Sequence, residues 1–278
     1  HGSLNHMKLP SILLGTAAIG AGALCATAFV VPTIATSASK CDAALFTIKA
    51  GMPGAGSGYA KAKVSAECSG SNLVVTSNGM PSYAYVAKTP NGLKTQSWKW
   101  TVPAAPKKAS KVTSITTRLG TIGFTVTGIP IYGPMEGPVP ANMAFGDPVY
   151  NGILDSCKGH TGYMADYHDH AILATASCGF AQSKIVGYAI DGFPIYGASS
   201  SIKSGYVKTG NPKSNSWAAY TYKASSSKNV LDKCNGRTEA DGSYAYHATS
   251  TFPYTIGCFK GTPVTQRGAA EAPMPPMR

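Results

Sequence analysis

Three of the four histidines beyond the first six residues, His160, His168 and His170, lie in the stretch 155–170, "DSCKGHTGYMADYHDH". In an extended segment, residues two apart share a face. His168 and His170 are therefore expected to project together, with Tyr167 and Asp169 on the other side. One backbone segment then fixes two imidazoles at once, an efficient chelate for zinc or copper. His247 is the first candidate for a further ligand and His160 the next. The chain has only twelve acids in 278 residues, yet Asp155, Asp166, Asp169 and Asp191 share a window with these histidines. Carboxylates beside imidazoles can be ligands, acceptors that orient a ligand, or a general base. Asp166 and Asp169 are the candidates for such catalytic or orienting roles. Asp155 and its later counterpart Asp232 read as structural, each capping a turn beside a cysteine. Ser156 could serve as a nucleophile beside a histidine, although no GxSxG elbow occurs. No phosphate-cradling glycine loop or dinucleotide fingerprint is present either. The competing structural reading is a tyrosine–histidine hydrogen-bond network that pins a disulfide-rich loop.

The elements that would carry these residues come in two related sets. Residues 232–247, "DKCNGRTEADGSYAYH", align with 155–170 without a gap. Asp155 matches Asp232, Cys157 matches Cys234, Gly159 matches Gly236, Tyr167 matches Tyr244, and His170 matches His247. Upstream of each copy sits another matched string, "GIPIYG" at 128–133 and "GFPIYG" at 192–197. The same two matches in the same order imply an internal duplication, with halves near 110–182 and 183–262. If the halves fold face to face, His247 joins His168 and His170 at a common centre.

Residues 40–105 differ in texture. "LFTIKA", "NLVVTS", "SYAYVAK" and "SWKWTV" are short alternating or β-branched runs between Gly, Ser, Asn and Pro, the pattern of a small β-rich region. Trp98 and Trp100 would share a strand face, either as packing or as a sugar-stacking platform. No long amphipathic pattern follows, so the fold class is mainly β: a disulfide-stapled, internally duplicated β-rich domain over 106–262, preceded by that N-terminal region. Residues 263–278 read as a flexible tail.

Residues 1–39 read as two things. "HGSLNH" looks like the remnant of an expression tag, and the apolar run after Met7 looks like a secretory signal with cleavage near Ser39. An uncleaved N-terminal anchor is the lesser alternative. Six cysteines remain beyond it, and an even count in an exported chain implies three disulfides. Fifteen pairings are possible, and spacing favours the local ones, Cys41–Cys68, Cys157–Cys178 and Cys234–Cys258. Without a CxxC, thiolate zinc and thioredoxin-type chemistry are unsupported. The net charge of +12 comes from scattered lysines. That pattern argues for no specific nucleic-acid partner and for non-specific contact with anionic surfaces.

The strings "DSCKGHTGYMADYHDH", "GYAIDGFPIYG" and "LDKCNGRTEADGSYAYHATSTFPYTIGCFKG" together resemble the YHYH-domain family of exported proteins, over roughly residues 120–262. The resemblance implies an extracytoplasmic protein with a His/Tyr-rich centre that binds metal, and it supplies no established reaction. The family tetrapeptide is altered to Tyr167-His168-Asp169-His170 in the first half and to Tyr244-Ala245-Tyr246-His247 in the second. Asp169 replaces a tyrosine, and Ala245 removes a possible ligand.

These readings combine into an expectation of a secreted or periplasmic metal-dependent hydrolase. Zinc or copper would be held by His168, His170 and His247, with His160 as an alternative. Asp169 or Asp166 would be the base, acting on a water activated by the metal. Its substrate, small molecule or polymer, is open, with esters the first to try. The alternatives are a non-catalytic copper- or zinc-binding protein, a serine-type hydrolase using Ser156, and a structural surface module. No stable membrane span is expected once the signal is removed.

Overall fold

Short β-branched and aromatic runs punctuated by Gly, Pro and Asn can only make short strands. The structure, a computed structural model, describes residues 41–181 and 183–265; the expected tag and signal, and most of the expected tail, lie outside the described residues. The described residues are mainly β, as expected, and their only helices are single 3-10 turns.

Strands β1 (Val64–Ser69), β2 (Asn72–Ser77) and β3 (Trp98–Pro103) form an antiparallel sheet in that order. Two small ladders pair β4 (Thr113–Ser114) with β15 (Cys258–Phe259), and β11 (Tyr206–Lys208) with β12 (Tyr220–Tyr222). The remaining strands build one eight-stranded sheet. They are β5 (Thr121–Thr125), β6 (Pro130–Tyr132), β7 (Gly159–Thr161), β8 (Tyr167–Asp169), β9 (Ile185–Ala189), β10 (Pro194–Tyr196), β13 (Gly236–Thr238) and β14 (Tyr244–His247).

That sheet runs β13-β14-β10-β9-β5-β6-β8-β7, and the pattern of elements is the same from either edge. At each end a hairpin, β7–β8 or β13–β14, is joined in parallel to the strand of a GxPIYG string. Ile131 pairs with Asp169 at one end, and Tyr196 with His247 at the other. The centre is the antiparallel contact of β5 with β9. Gly128 and Gly192, which open the two strings, have φ of +84° and +89° in the β5–β6 and β9–β10 turns. Each also packs too tightly on the three-stranded sheet to admit a side chain: an added Cβ would sit 2.6 Å from Ser77 Oγ or 2.5 Å from the Pro103 carbonyl. Glycine is required twice over at both turns.

The order has a consequence for the histidines. Five strand steps separate β8 from β14, about 24 Å at ~4.8 Å per step. The halves do not fold face to face. They lie side by side with their histidine hairpins at opposite edges.

The two sheets share one core, in which Trp100 stacks on Phe124 with centroids 4.7 Å apart. Trp98 and Trp100 do share the inward face of β3, but both are buried, so they are packing and not a sugar platform. The segment after β2 then buttresses β7 and β8. Tyr83 donates to the Tyr167 hydroxyl (3.0 Å), Thr89 and Asn91 donate to the Thr161 carbonyl (2.8 and 3.0 Å), and the Lys94 amide donates to the Ala165 carbonyl (2.9 Å). The three favoured disulfides are all formed. No helix among the described residues is long and apolar enough to cross a membrane.

Candidate metal centre

β7 and β8 pair in antiparallel register, with His160 opposite His168 and Gly159 opposite Asp169. Alternation along β8 puts His168 and His170 on the face that His160 also reaches, and sends Tyr167 and Asp169 to the other. The result is a cluster of three buried imidazoles whose candidate ligand atoms all lie within 4.8 Å of one another. Ring centroids are 4.8–5.0 Å apart and the ring planes are nearly perpendicular, so the rings meet at their edges instead of stacking.

Each ring is oriented by an oxygen at Nδ1. His160 Nδ1 meets the Ile153 carbonyl (3.1 Å), and His170 Nδ1 meets the Gly133 carbonyl at the end of "GIPIYG" (2.6 Å). His168 Nδ1 meets Asp166 Oδ2 at 3.2 Å. Carbonyl and carboxylate oxygens accept, so Nδ1 carries the hydrogen and the lone pair of Nε2 is left to the cluster. Tyr132 completes the cradle of His168: its hydroxyl donates to Asp166 (2.9 Å) and its ring lies over the imidazole at 3.9 Å. Burial alone would raise the Asp166 pKa, but hydrogen bonds from His168 and Tyr132 hold it below the ordinary value. Asp166 is thus an acceptor that orients the His168 ring.

Glu136 enters the cluster from the loop after β6. Its Oε1 stands 3.3 Å from His160 Nε2 and 3.1 Å from His170 Nε2, which are themselves 3.1 Å apart. That oxygen is buried and has no hydrogen-bond donor. Burial also lowers the His160 pKa, to about 3 with help from the His168 and His170 charges. Burial would raise Glu136, but the imidazoles more than offset it and leave the carboxyl at about 2. A carboxylate and two imidazole lone pairs facing one another repel unless a proton or a metal ion lies between them. The donor set therefore fits a divalent metal. Sequence reasoning missed Glu136, which lies 24 positions before His160; its one signal was its scarcity as an acid.

The cluster opens on a cleft of about 1020 Å³. Lys88, Arg118, Met143 and Met164 are among its lining residues, and Met143 joins Met164 there from a distant loop.

Three expected site residues fall elsewhere. His247 is not in the cluster, because the strand order carries it to the far edge of the sheet. There its Nε2 meets Glu239 Oε1 at 2.8 Å, and Arg237 also donates to Glu239, at 2.9 and 3.2 Å. Asp169 faces away from the imidazoles, so it is not their base. Burial, then the charge of Asp155, pushes its carboxyl well above the ordinary range, and Oδ1 lacks a partner. Ser156 is exposed on its turn and has no histidine hydrogen-bond partner. Asp155 and Asp232 are turn caps, as read: each accepts from the amides of the adjacent cysteine and glycine and from a tyrosine hydroxyl.

Fold and site define a class: a disulfide-stapled β protein with a buried three-histidine cluster at one edge of a large mixed sheet. A family model described as "YHYH protein" matches residues 99–261, more than half of the chain, and the chain belongs to that family. No curated protein and no solved structure matches it.

Proposed function

We propose that this protein is an exported, metal-dependent hydrolase whose ion is held by His160, His168 and His170. The observation that carries the reading is the convergence of three imidazoles beside an open cleft, each with Nδ1 committed to an oxygen. Structural zinc sites are closed by protein ligands, whereas catalytic ones keep a position for water or substrate. A zinc or copper ion here supplies Lewis acidity and brings water toward a neutral pKa. The Ile153 and Gly133 carbonyls and Asp166 hold the three rings in the tautomer that binds. Lys88 and Arg118 also line this cleft and would lend it positive charge. Export is supported by the three disulfides, which persist in oxidising compartments, and by the signal-like N-terminal sequence.

The test has two stages. Metal analysis of gently purified protein should find about one zinc or copper per chain, lost in His168→Ala/His170→Ala. Turnover of a chromogenic short-chain ester should then disappear with a chelator and return with the ion. Metal without turnover would favour the second reading, a copper- or zinc-binding protein without catalysis, for which Met143 and Met164 beside the cleft speak.

A further inference from the structure

We infer that Glu136 is the fourth protein ligand of this centre, so that the ion is held by three imidazole nitrogens and one carboxylate oxygen. The inference rests on the metal-site reading above and names a donor outside the three-histidine set.

The geometry comes first. Two ligand atoms about 2.0–2.2 Å from one ion lie about 2.8–3.1 Å apart at a right angle and about 3.3–3.6 Å apart at the tetrahedral angle. Glu136 Oε1, His160 Nε2 and His170 Nε2 form a triangle with sides of 3.1, 3.3 and 3.1 Å. That triangle has the size of one face of a coordination polyhedron, and a ligand atom of His168 lies within 4.8 Å of those of His160 and His170.

Hydrogen bonding accounts for the triangle only if one of the two imidazoles is protonated. Both imidazoles spend their Nδ1 hydrogens on backbone carbonyls, so neither Nε2 has one to give to Oε1 in the neutral ring. The carboxylate is also placed deliberately. The Glu136 amide donates to the Gly146 carbonyl (2.8 Å), and the Phe145 amide donates to Gly137 (3.1 Å), so the loop closes on itself around the glutamate. Ser216 anchors the start of the same loop through the Pro134 carbonyl.

The opposite edge of the sheet supports the same set. By the alignment of the two halves, His160 corresponds to Arg237, His168 to Ala245, and Glu136, counted from the GxPIYG strings, to Ser200. Only the His170 counterpart, His247, stays a histidine. Three of the four donors are absent together at the edge where Arg237 supplies the positive charge. Four protein donors would leave water or substrate only a fifth position, which would favour an ion that can exceed four-coordination.

Cobalt(II) titration of the full chain, followed by its visible absorption, tests this apart from any activity. The wild-type chain should give ligand-field bands that His168→Ala/His170→Ala abolishes. Glu136→Gln should shift those bands and weaken binding at least about ten-fold, since even outer groups cost that much. Near-UV circular dichroism should show the variant folded; if it is not, Glu136→Asp, which keeps the charge, should bind more tightly than Glu136→Ala. Unchanged bands and affinity in Glu136→Gln would overturn the fourth ligand while leaving the three-histidine site standing. A wild-type chain with no bands attributable to His168 and His170 would overturn the metal reading itself.

Discussion

The two edges of the eight-stranded sheet carry the same scaffold with opposite electrostatics. Each has a parallel strand from a GxPIYG string, a hairpin, a disulfide and an aspartate that caps the turn before it. At the β7–β8 edge, three imidazoles and Glu136 converge. At the β13–β14 edge, Glu239 meets both His247 and the guanidinium of Arg237, with Lys184 Nζ 3.7 Å from Glu239. Burial would raise Glu239, but Arg237 and His247 hold it below its ordinary value; burial lowers His247, only partly opposed by Glu239. One edge brings its own cation, and at the other we propose that a metal ion takes that place. Substitutions at the positions of His160 and His168 separate the two states, and the backbone hardly takes part.

The comparison can be broken most directly at the histidines. His168→Ala/His170→Ala should abolish metal binding, whereas His247→Ala should leave metal affinity unchanged by competition with a chelator. Equal losses in both would mean that the two edges are not distinct. The capping tyrosines come next. Tyr167 donates to buried Asp155 (2.7 Å) and accepts from Tyr83, so Tyr167→Phe should cost about 1–3 kcal/mol in denaturant unfolding. Tyr244→Phe should cost about 0.5–1.5 kcal/mol, because the side chain of Asp232 is 37% exposed and water replaces the lost donor.

Arg237→Ala should destabilise by about 1–2 kcal/mol, less than a fully buried pair, since Arg237 keeps some solvent. It should not alter metal binding at the far edge, and any change there would show that the edges are coupled. The gentlest effect is a slope. Folded Asp169 retains a proton that the unfolded chain gives up in the ordinary carboxylate range. Its contribution to stability is full below that range and is lost as pH rises toward the folded-state value, by at most about 1.4 kcal/mol per pH unit. Asp169→Asn should flatten that loss with rising pH, measured by urea midpoints across the window. An unchanged profile would place the proton elsewhere.

How much of the site was legible depends on the distance over which each residue's neighbours act. The H-x-H pair was readable because alternation along a strand is a local property. The separation of Asp169 from both imidazoles follows from the same rule, which argued against it as their base from the start. Glu136 was not readable: nothing within its own segment says that a loop will close beneath β7 and β8. His247 was misplaced because matched sequences say what two segments are, not which edge of a sheet each will occupy.

By itself, then, the chain's sequence determined the strand class and the shared face of His168 and His170, consequences of contacts between near neighbours, and it favoured the three cystine pairs that form. Tertiary structure alone decided that His160 and Glu136 complete the cluster while His247 lies across the sheet. Strand order is chosen by the burial of two sheets against a common core, a sum over distant residues that no short motif records.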